Sequence, residues 1–362
     1  MLKFIIKKII GSLITYVLII FMYNIILNAS LEATAESQIA YMCKGYVMGL
    51  TNERLQRTVK RLNEGGIEME ETDIPLLKKL FEKELRKVLW LDQPSFLRIL
   101  RRTYMTLTFD FGVSGSVVTG YGSNMVSDVI FEALPLTLLL FVVSCVFSVF
   151  IGIAVGIKKA RSPGSLYDKS SSIFTMLFFG TPVWWVGALM ILLFSIHWKI
   201  FPSGAMYSFP RPQGIMYFID AAYHLVLPVL TMVLIKFWGI SFIVKNLVIV
   251  PLQEEYVTAA RGRGIPEKKV VRHHALRTAA PAIMTMGILT IVTSIAGDIP
   301  IEKVFAWKGL GTILWMALQR NDIPMMLGVL TLITIIYMSA LFLLDILYGF
   351  LDPRIRISGK EA

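Results

Sequence analysis

Six stretches of this chain are long and apolar enough to cross a lipid bilayer: Ile9–Leu27, Ile130–Ile157, Ser172–Ile196, Leu225–Val250, Ala279–Gly297 and Pro324–Phe350. A hydrocarbon core of about 30 Å takes about 20 mostly apolar residues as a helix. The third, the fifth, and the sixth as far as Leu344 hold no Asp, Glu, Lys or Arg, and the second holds only Glu132 at its edge. Backbone groups in lipid must be satisfied within the segment, which favours helices. The expected fold is all-α and polytopic, with six transmembrane helices. Composition agrees: 55% of residues are hydrophobic and 17% charged, where a soluble domain carries about a quarter charged. That excludes an ordinary two-domain soluble enzyme, and it excludes disorder, which needs low hydrophobicity.

The net charge is +11, and its placement matters more than its size. With the N-terminus inside, the inner segments hold Lys3, Lys7 and Lys8, then Lys158, Lys159, Arg161 and Lys169, then six Lys and Arg between Arg261 and Arg277, then Arg354, Arg356 and Lys360. The short outer loops hold only Lys199, Arg211, Lys303, Lys308 and Arg320. Cytoplasmic loops carry the excess of positive charge, so both termini are expected in the cytoplasm. Topology accounts for much of the charge, and nucleic acid is not needed. The first stretch follows a positive segment, as a signal peptide would. It exceeds the 7–15 residues of such a core and no A-x-A site follows, so a retained helix is expected. Cys145 lies in an apolar run away from Cys43, and no disulfide is expected between them. No Cys/His cluster has metal-ligand spacing, and no cofactor is called for.

The long polar segment from Asn28 to Ser127 falls outside. Leu76, Leu77, Leu80, Phe81, Leu85, Val88 and Leu89 recur with helical spacing. A second helix is expected from Pro94, with Asp92 as its cap. Its stripe of Leu97, Leu100, Tyr104 and Leu107, beside Arg98, Arg101 and Arg102, suits either an interfacial helix on anionic lipid or packing within a small extracellular cap. The inner loop Pro251–Ala275 reads as helix, glycine turn, helix. Glu254 to Arg263 is alanine-rich, Gly264 breaks it, and Pro266 with Glu267 in the first turn suits a new start. Small residues at Ala259, Ala260, Gly262 and Gly264 leave room for another backbone.

At this loop the sequence becomes recognisable. Glu255-Tyr-Val-Thr-Ala-Ala-Arg-Gly-Arg-Gly264, then His274-Ala-Leu-Arg277, resembles the EAA loop of ABC-importer permeases. The likeness is strongest to the dipeptide/oligopeptide/nickel family, in the branch of the first permease subunit. Ala259, Ala260 and Gly264 match the two alanines and the glycine, and Thr258 stands where a glutamate would be. Further stretches agree in order: the Met1–Lys8 opening, Leu91-Asp-Gln-Pro94, Asp110-Phe-Gly112, Leu134-Pro-Leu-Thr137, Thr181-Pro-Val-Trp184, His224-Leu-Val-Leu-Pro228, Val304-Phe-Ala-Trp-Lys-Gly-Leu-Gly311 and Leu351-Asp-Pro-Arg-Ile-Arg356. Four departures lie on or near the outer side. A Gly-Asp-Pro element is missing near Asn28–Glu36, the segment before Leu91 is long, Gly297-Asp-Ile-Pro300 replaces a more apolar stretch, and Lys308 stands where proline is common.

The resemblance implies a type I importer permease of the MetI-like fold with an extracellular helical insertion. The expected divisions are residues 1–29 for the N-terminus and first span, 30–128 for the extracellular region, 129–350 for the permease core with its coupling loop at 251–277, and 351–362 for a cytoplasmic tail. It implies a prokaryotic plasma-membrane assembly of two permeases, two cytoplasmic ATPases and an extracellular solute-binding protein. The chain has no G-x4-G-K-[ST] sequence, so ATP is not bound by a P-loop here. It is expected to be a transport subunit, not an enzyme. Glu255, Thr258, Ala259, Ala260, Arg261, Gly264, His274 and Arg277 would form the ATPase-coupling loop, with Arg261, Arg263 and Arg272 available to acidic groups of the partner. Pro182, Trp184, Pro228 and Lys236 are candidates for the translocation path. Lys236 stands out because a central lysine costs about 2.5–3.5 kcal/mol on insertion scales. An ion-coupled secondary transporter is the alternative. It would normally carry intramembrane carboxylates or an inverted repeat; here only edge groups such as Glu132 and Asp345 are present.

Overall fold

The computed structural model describes residues 2–48, 74–294 and 297–351. Ile295 and Ala296, at the end of the fifth expected span, lie outside the described residues, as do the Asp352–Arg356 part of the last motif and the tail beyond it. Among the described residues twelve helices form and no strand. Five are long and apolar enough to cross a membrane by length and composition: α1 (Leu2–Met48), α4 (Val126–Arg161), α7 (Ile215–Leu252), α9 (Glu267–Ser294) and α12 (Ile323–Leu351). The third expected span is not one straight helix. It is α5 (Leu166–Phe179) and α6 (Val183–His197), bent by 99° at Gly180–Pro182. Pro182 cannot donate a backbone hydrogen bond and restricts the residue before it, so the axis breaks there. The spans number six if this bent pair counts as one.

The long segment after the first span also departs from expectation. Helix α1 continues past Leu27 to Met48. No proline or glycine interrupts Asn28–Lys44. Leu31 packs on the core formed by α4, α11 (Leu310–Gln319) and α12, and Ile39 and Cys43 are buried. Helices α2 (Ile74–Val88) and α3 (Ser95–Leu107) pack along this extension. Helix α3 starts after Pro94, but no side chain caps it, so Asp92 does not play that part.

The contact between α1 and α3 is made by polar groups. Asn24 Nδ2 donates to Thr106 Oγ1 at 3.5 Å, Arg102 Nη1 to Asn28 Oδ1 at 3.2 Å, and Arg98 Nη2 to Glu32 Oε1 at 2.5 Å. Each residue number on α1 rises by four as its partner on α3 falls by four, which is the register of two antiparallel helices meeting one turn at a time. Of the stripe that suited either lipid or a cap, Leu97, Leu100 and Tyr104, with neighbouring Phe96, are exposed and Leu107 is half-buried, as the interfacial reading requires.

Helices α4 and α7 form the tightest pair. A Cβ at Gly152 would stand 2.5 Å from Ile240 Cγ2, and one at Gly156 would stand 2.7 Å from the Ser241 carbonyl oxygen. Only glycine lets the two backbones approach this closely. Both cysteines, Cys43 and Cys145, are free.

Candidate functional site

The loop after α7 folds as its sequence predicts. Helix α7 ends at Leu252, and α8 (Glu255–Gly262) follows. Val257 and Ala260 lie on one face of α8 and are fully buried, in a cluster with Val248, Leu252, Val270, Val271 and Ala275. Glu255, Thr258 and Ala259 look outward. Gly264 has φ +77°, the left-handed region that favours glycine. Its N–H donates to the Arg261 carbonyl at 2.9 Å. Pro266 then stands at the N-terminus of α9 with Glu267 in the first turn. A Cβ on Gly262 or Gly264 would meet nothing within 4 Å, so both open onto free space.

Two expectations about this loop need correction. Ala260 is not available to a neighbouring backbone; it anchors α8 to its own chain. The outward small residues are Ala259, Gly262 and Gly264. Arg261 is exposed but already paired, so a partner's acidic group would have to compete with its own loop. Its Nε and Nη2 donate to the Glu267 carboxylate at 3.0 and 2.8 Å, and Nη1 donates to the Leu252 carbonyl at 3.3 Å. This pairing, across the glycine turn, raises the Arg261 pKa above its ordinary value. Arg263, Arg272 and Arg277 remain exposed. His274 is half-buried in a widened, π-helical turn at Val270–Ala275, which α9 carries without interruption. Thr278 Oγ1 sits 2.9 Å from Tyr256 Oη and bonds the His274 carbonyl at 3.3 Å, tying α8 to α9.

The four path candidates are spread rather than gathered. Pro182 precedes α6 at the bend, and Trp184, in its first turn, is half-exposed. Pro228 is buried in α7, about 12 Å along the helix from Lys236 at 1.5 Å per residue. Lys236 is half-buried, with Nζ 6.0 Å from the Phe141 ring centroid and with Cys145 and Asp298 in electrostatic reach. Near the bend, Trp238 stacks on Phe174 and Phe178 at 5.3 and 6.3 Å between centroids.

Sequence reasoning missed the most enclosed carboxylate among the described residues, Glu302 on α10 (Ile299–Val304). It is fully buried. Thr137 Oγ1 donates to Oε1 and the Thr312 N–H to Oε2, both at 2.8 Å. The same Thr137 oxygen accepts from the Leu310 N–H at 2.8 Å. Gly309 and Gly311 wrap the carboxylate: a Cβ at Gly309 would fall 2.3 Å from Oε1, and one at Gly311 3.1 Å from Oε2. Burial pushes the Glu302 pKa up to about 7, against these hydrogen bonds. The signal was present, since an acid stands just before the aromatic–glycine turn Phe305–Gly311.

Comparison with known proteins matches residues 148–357 to the family described as "Binding-protein-dependent transport system inner membrane component". The dipeptide transport system permease protein of Escherichia coli (strain K12) is 30% identical over 291 residues, covering 75% of this chain and 84% of that one. The oligopeptide transport system permease protein of Bacillus subtilis (strain 168) is 28% identical over 265 residues, covering 73% and 82%. Among solved structures, inward-facing methionine ABC transporter MetNI matches with a TM-score of 0.48 at 20% identity, over 62% of this chain and 97% of that one.

Proposed function

Because the chain belongs to the family of binding-protein-dependent transport system inner membrane components, we propose that its α8–Gly264–α9 elbow is the surface through which ATPase subunits drive it. Membership makes the chain a multi-pass membrane permease component of an ABC importer, a transport subunit that works with other components of that system. The finer reading is ours. It pairs with a second permease, stands on two cytoplasmic ATPases and receives solute from an extracellular binding protein. Peptides are the cargo by analogy with the relatives' names. The charge asymmetry of the short loops supports cytoplasmic termini.

The observation that carries the coupling role is the elbow's construction. Its buried face fixes α8 to the core through Val257 and Ala260, while Ala259, Gly262 and Gly264 stay open. Past the elbow, α9 runs unbroken into a candidate span. A push on α8 therefore reaches the spans through rigid backbone. ATP drives the change only insofar as the closed ATPase pair binds it better. The spans then alternate between outward and inward access.

The test replaces Gly264 with Leu. Positive φ makes the side chain cost of order 1–2 kcal/mol, and the side chain projects into open space rather than into the fold. Insertion and pairing with the sister permease should persist. ATPase pull-down, or the stimulation of hydrolysis by loaded binding protein, should be lost. Full assembly with normal stimulation would remove the elbow from the coupling path. Ala260→Asp should fail differently, by burying a charge beneath α8 and loosening the loop itself.

A further inference from the structure

Three charged side chains meet where α4 turns into α5. Lys159, at the end of α4, is fully buried, and its Nζ has no hydrogen-bond partner among the described residues. Asp168, in the first turn of α5, is buried too. Both its oxygens accept from Lys245 Nζ of α7, at 2.6 and 2.7 Å, and Oδ2 also accepts from the Gly164 N–H at 2.9 Å. Asp168 and Lys245 both lie within electrostatic reach of Lys159. The site thus holds one carboxylate and two buried or largely buried lysines. The neighbouring Lys158 escapes by resting its Nζ over the Tyr167 ring, 4.2 Å from its centroid.

A buried cation without a partner is costly, and removing the cation is often harmless or stabilising. Packing suggests why this one is kept. Helices α4 and α7 cannot slide easily, because Gly152 and Gly156 seat the α7 backbone directly against α4. The two lysines are therefore held at fixed places on one rigid pair. Asp168 rides on α5, which, apart from the Lys245 pair, rests on α7 at its far end, where Phe174 and Phe178 stack on Trp238 and Thr175 Oγ1 donates to the Trp238 carbonyl at 3.4 Å. Helix α5 joins α4 through a short turn with Gly164 at φ +77°, and its far end breaks into α6 at 99°. A small shift of α5 would move its carboxylate relative to both lysines at once.

We propose that Asp168 is a two-seat latch, paired with Lys245 in the conformation described here and with Lys159 in the alternate conformation of the transport cycle. The proposal rests on the importer reading for the meaning of that cycle. Lys159 is then a positioning residue, whose unpaired charge in one state is the vacancy filled in the other. Two such seats make α5 bistable rather than continuously deformable, and the bias between them sets how readily the bent α5–α6 span follows its neighbours.

The experiment places spin labels at Lys169→Cys on α5 and Asn246→Cys on α7, both exposed positions, with Cys43 and Cys145 replaced. Distances are measured in nanodiscs, for the chain with its sister permease and for the full complex with a non-hydrolysable ATP analogue. Lys245→Met should move the resting distribution to the second distance without any ATPase. Lys159→Met should hold the first distance in the presence of the analogue, and should cut stimulated ATP turnover by about tenfold or more, a shift of the size a lost competing state allows. Lys158→Met should change neither. If Lys245→Met leaves the resting distance where it was, or Lys159→Met still switches like the parent, the latch is wrong. Should Lys245→Met fail to fold, Lys159→Met decides alone, since it only removes an unpaired buried charge. Failure of the ATPases to bind the unmodified chain would instead strike the importer reading, and the resting distances would still judge the latch.

Discussion

Glu302 shows how a single buried acid can organise a turn. Its carboxylate gathers Thr137 from α4 and the Thr312 amide, and the two glycines exist to let backbone come that close. Its pKa of about 7 lies above the ordinary 4.5. Between those values the folded chain binds more protons than the unfolded one, so stability is fully present below about 4.5 and is lost as pH rises to about 7. We expect thermal stability of the purified chain to fall over that window by an amount on the order of 3 kcal/mol. Glu302→Gln should flatten the slope while keeping the turn, and melting curves at four or five pH values would show it. A slope unchanged in Glu302→Gln would place the titrating group elsewhere. Gly309→Ala should be far more damaging than a surface glycine change, because its Cβ would overlap both Oε1 and Thr137 Oγ1.

At the scale of elements, the sequence told most where local rules ruled. The elbow at Gly264 and Pro266 was legible because a glycine with positive φ and a proline at a helix start leave clear marks. The bend at Pro182 was not, because its flanks are apolar enough to read as one uninterrupted span. Helix α3 was legible only in part: its apolar stripe was plain, but which side would be buried depended on Asn24, Asn28 and Glu32, some seventy residues away. The ladder they form with Thr106, Arg102 and Arg98 makes its own prediction. Glu32→Ala removes the carboxylate facing Arg98, a side chain that is 9% exposed and whose Nε already lacks a partner. Breaking such a pair leaves an uncompensated charge and costs several kcal/mol. Protease protection of α3 should drop in Glu32→Ala, and Glu32→Ala with Arg98→Met should recover much of it. Equal sensitivity of the single and double variants would show that the pair does not hold α3 in place.

For the whole molecule, the placement of charge relative to the apolar runs was legible early, while the long-range pairs were not. Asp168 with Lys245 and Asp322 with Ser114 and Ser116 join residues far apart in sequence, and no periodicity announces them. The orientation that the charge placement predicts can be checked directly. A cysteine at Ser162, in the α4–α5 turn, should react with an impermeant maleimide only from the cytoplasmic side, and one at Ser203, between α6 and α7, only from outside. Reaction of Ser162→Cys from outside would invert the topology and move the elbow away from any cytoplasmic ATPase.

The outward side of α3 has a practical corollary. Phe96, Leu97, Leu100 and Tyr104 form a greasy strip alongside the C-terminal half of α1, beyond the point where the apolar run of α1 gives way to Asn28 and Glu32. A short-chain detergent belt fitted to the spans will leave part of that strip bare. The solubilised chain will then stick to itself through α3 as the surfactant is diluted, and longer-chain or lipid-supplemented micelles will keep it monodisperse.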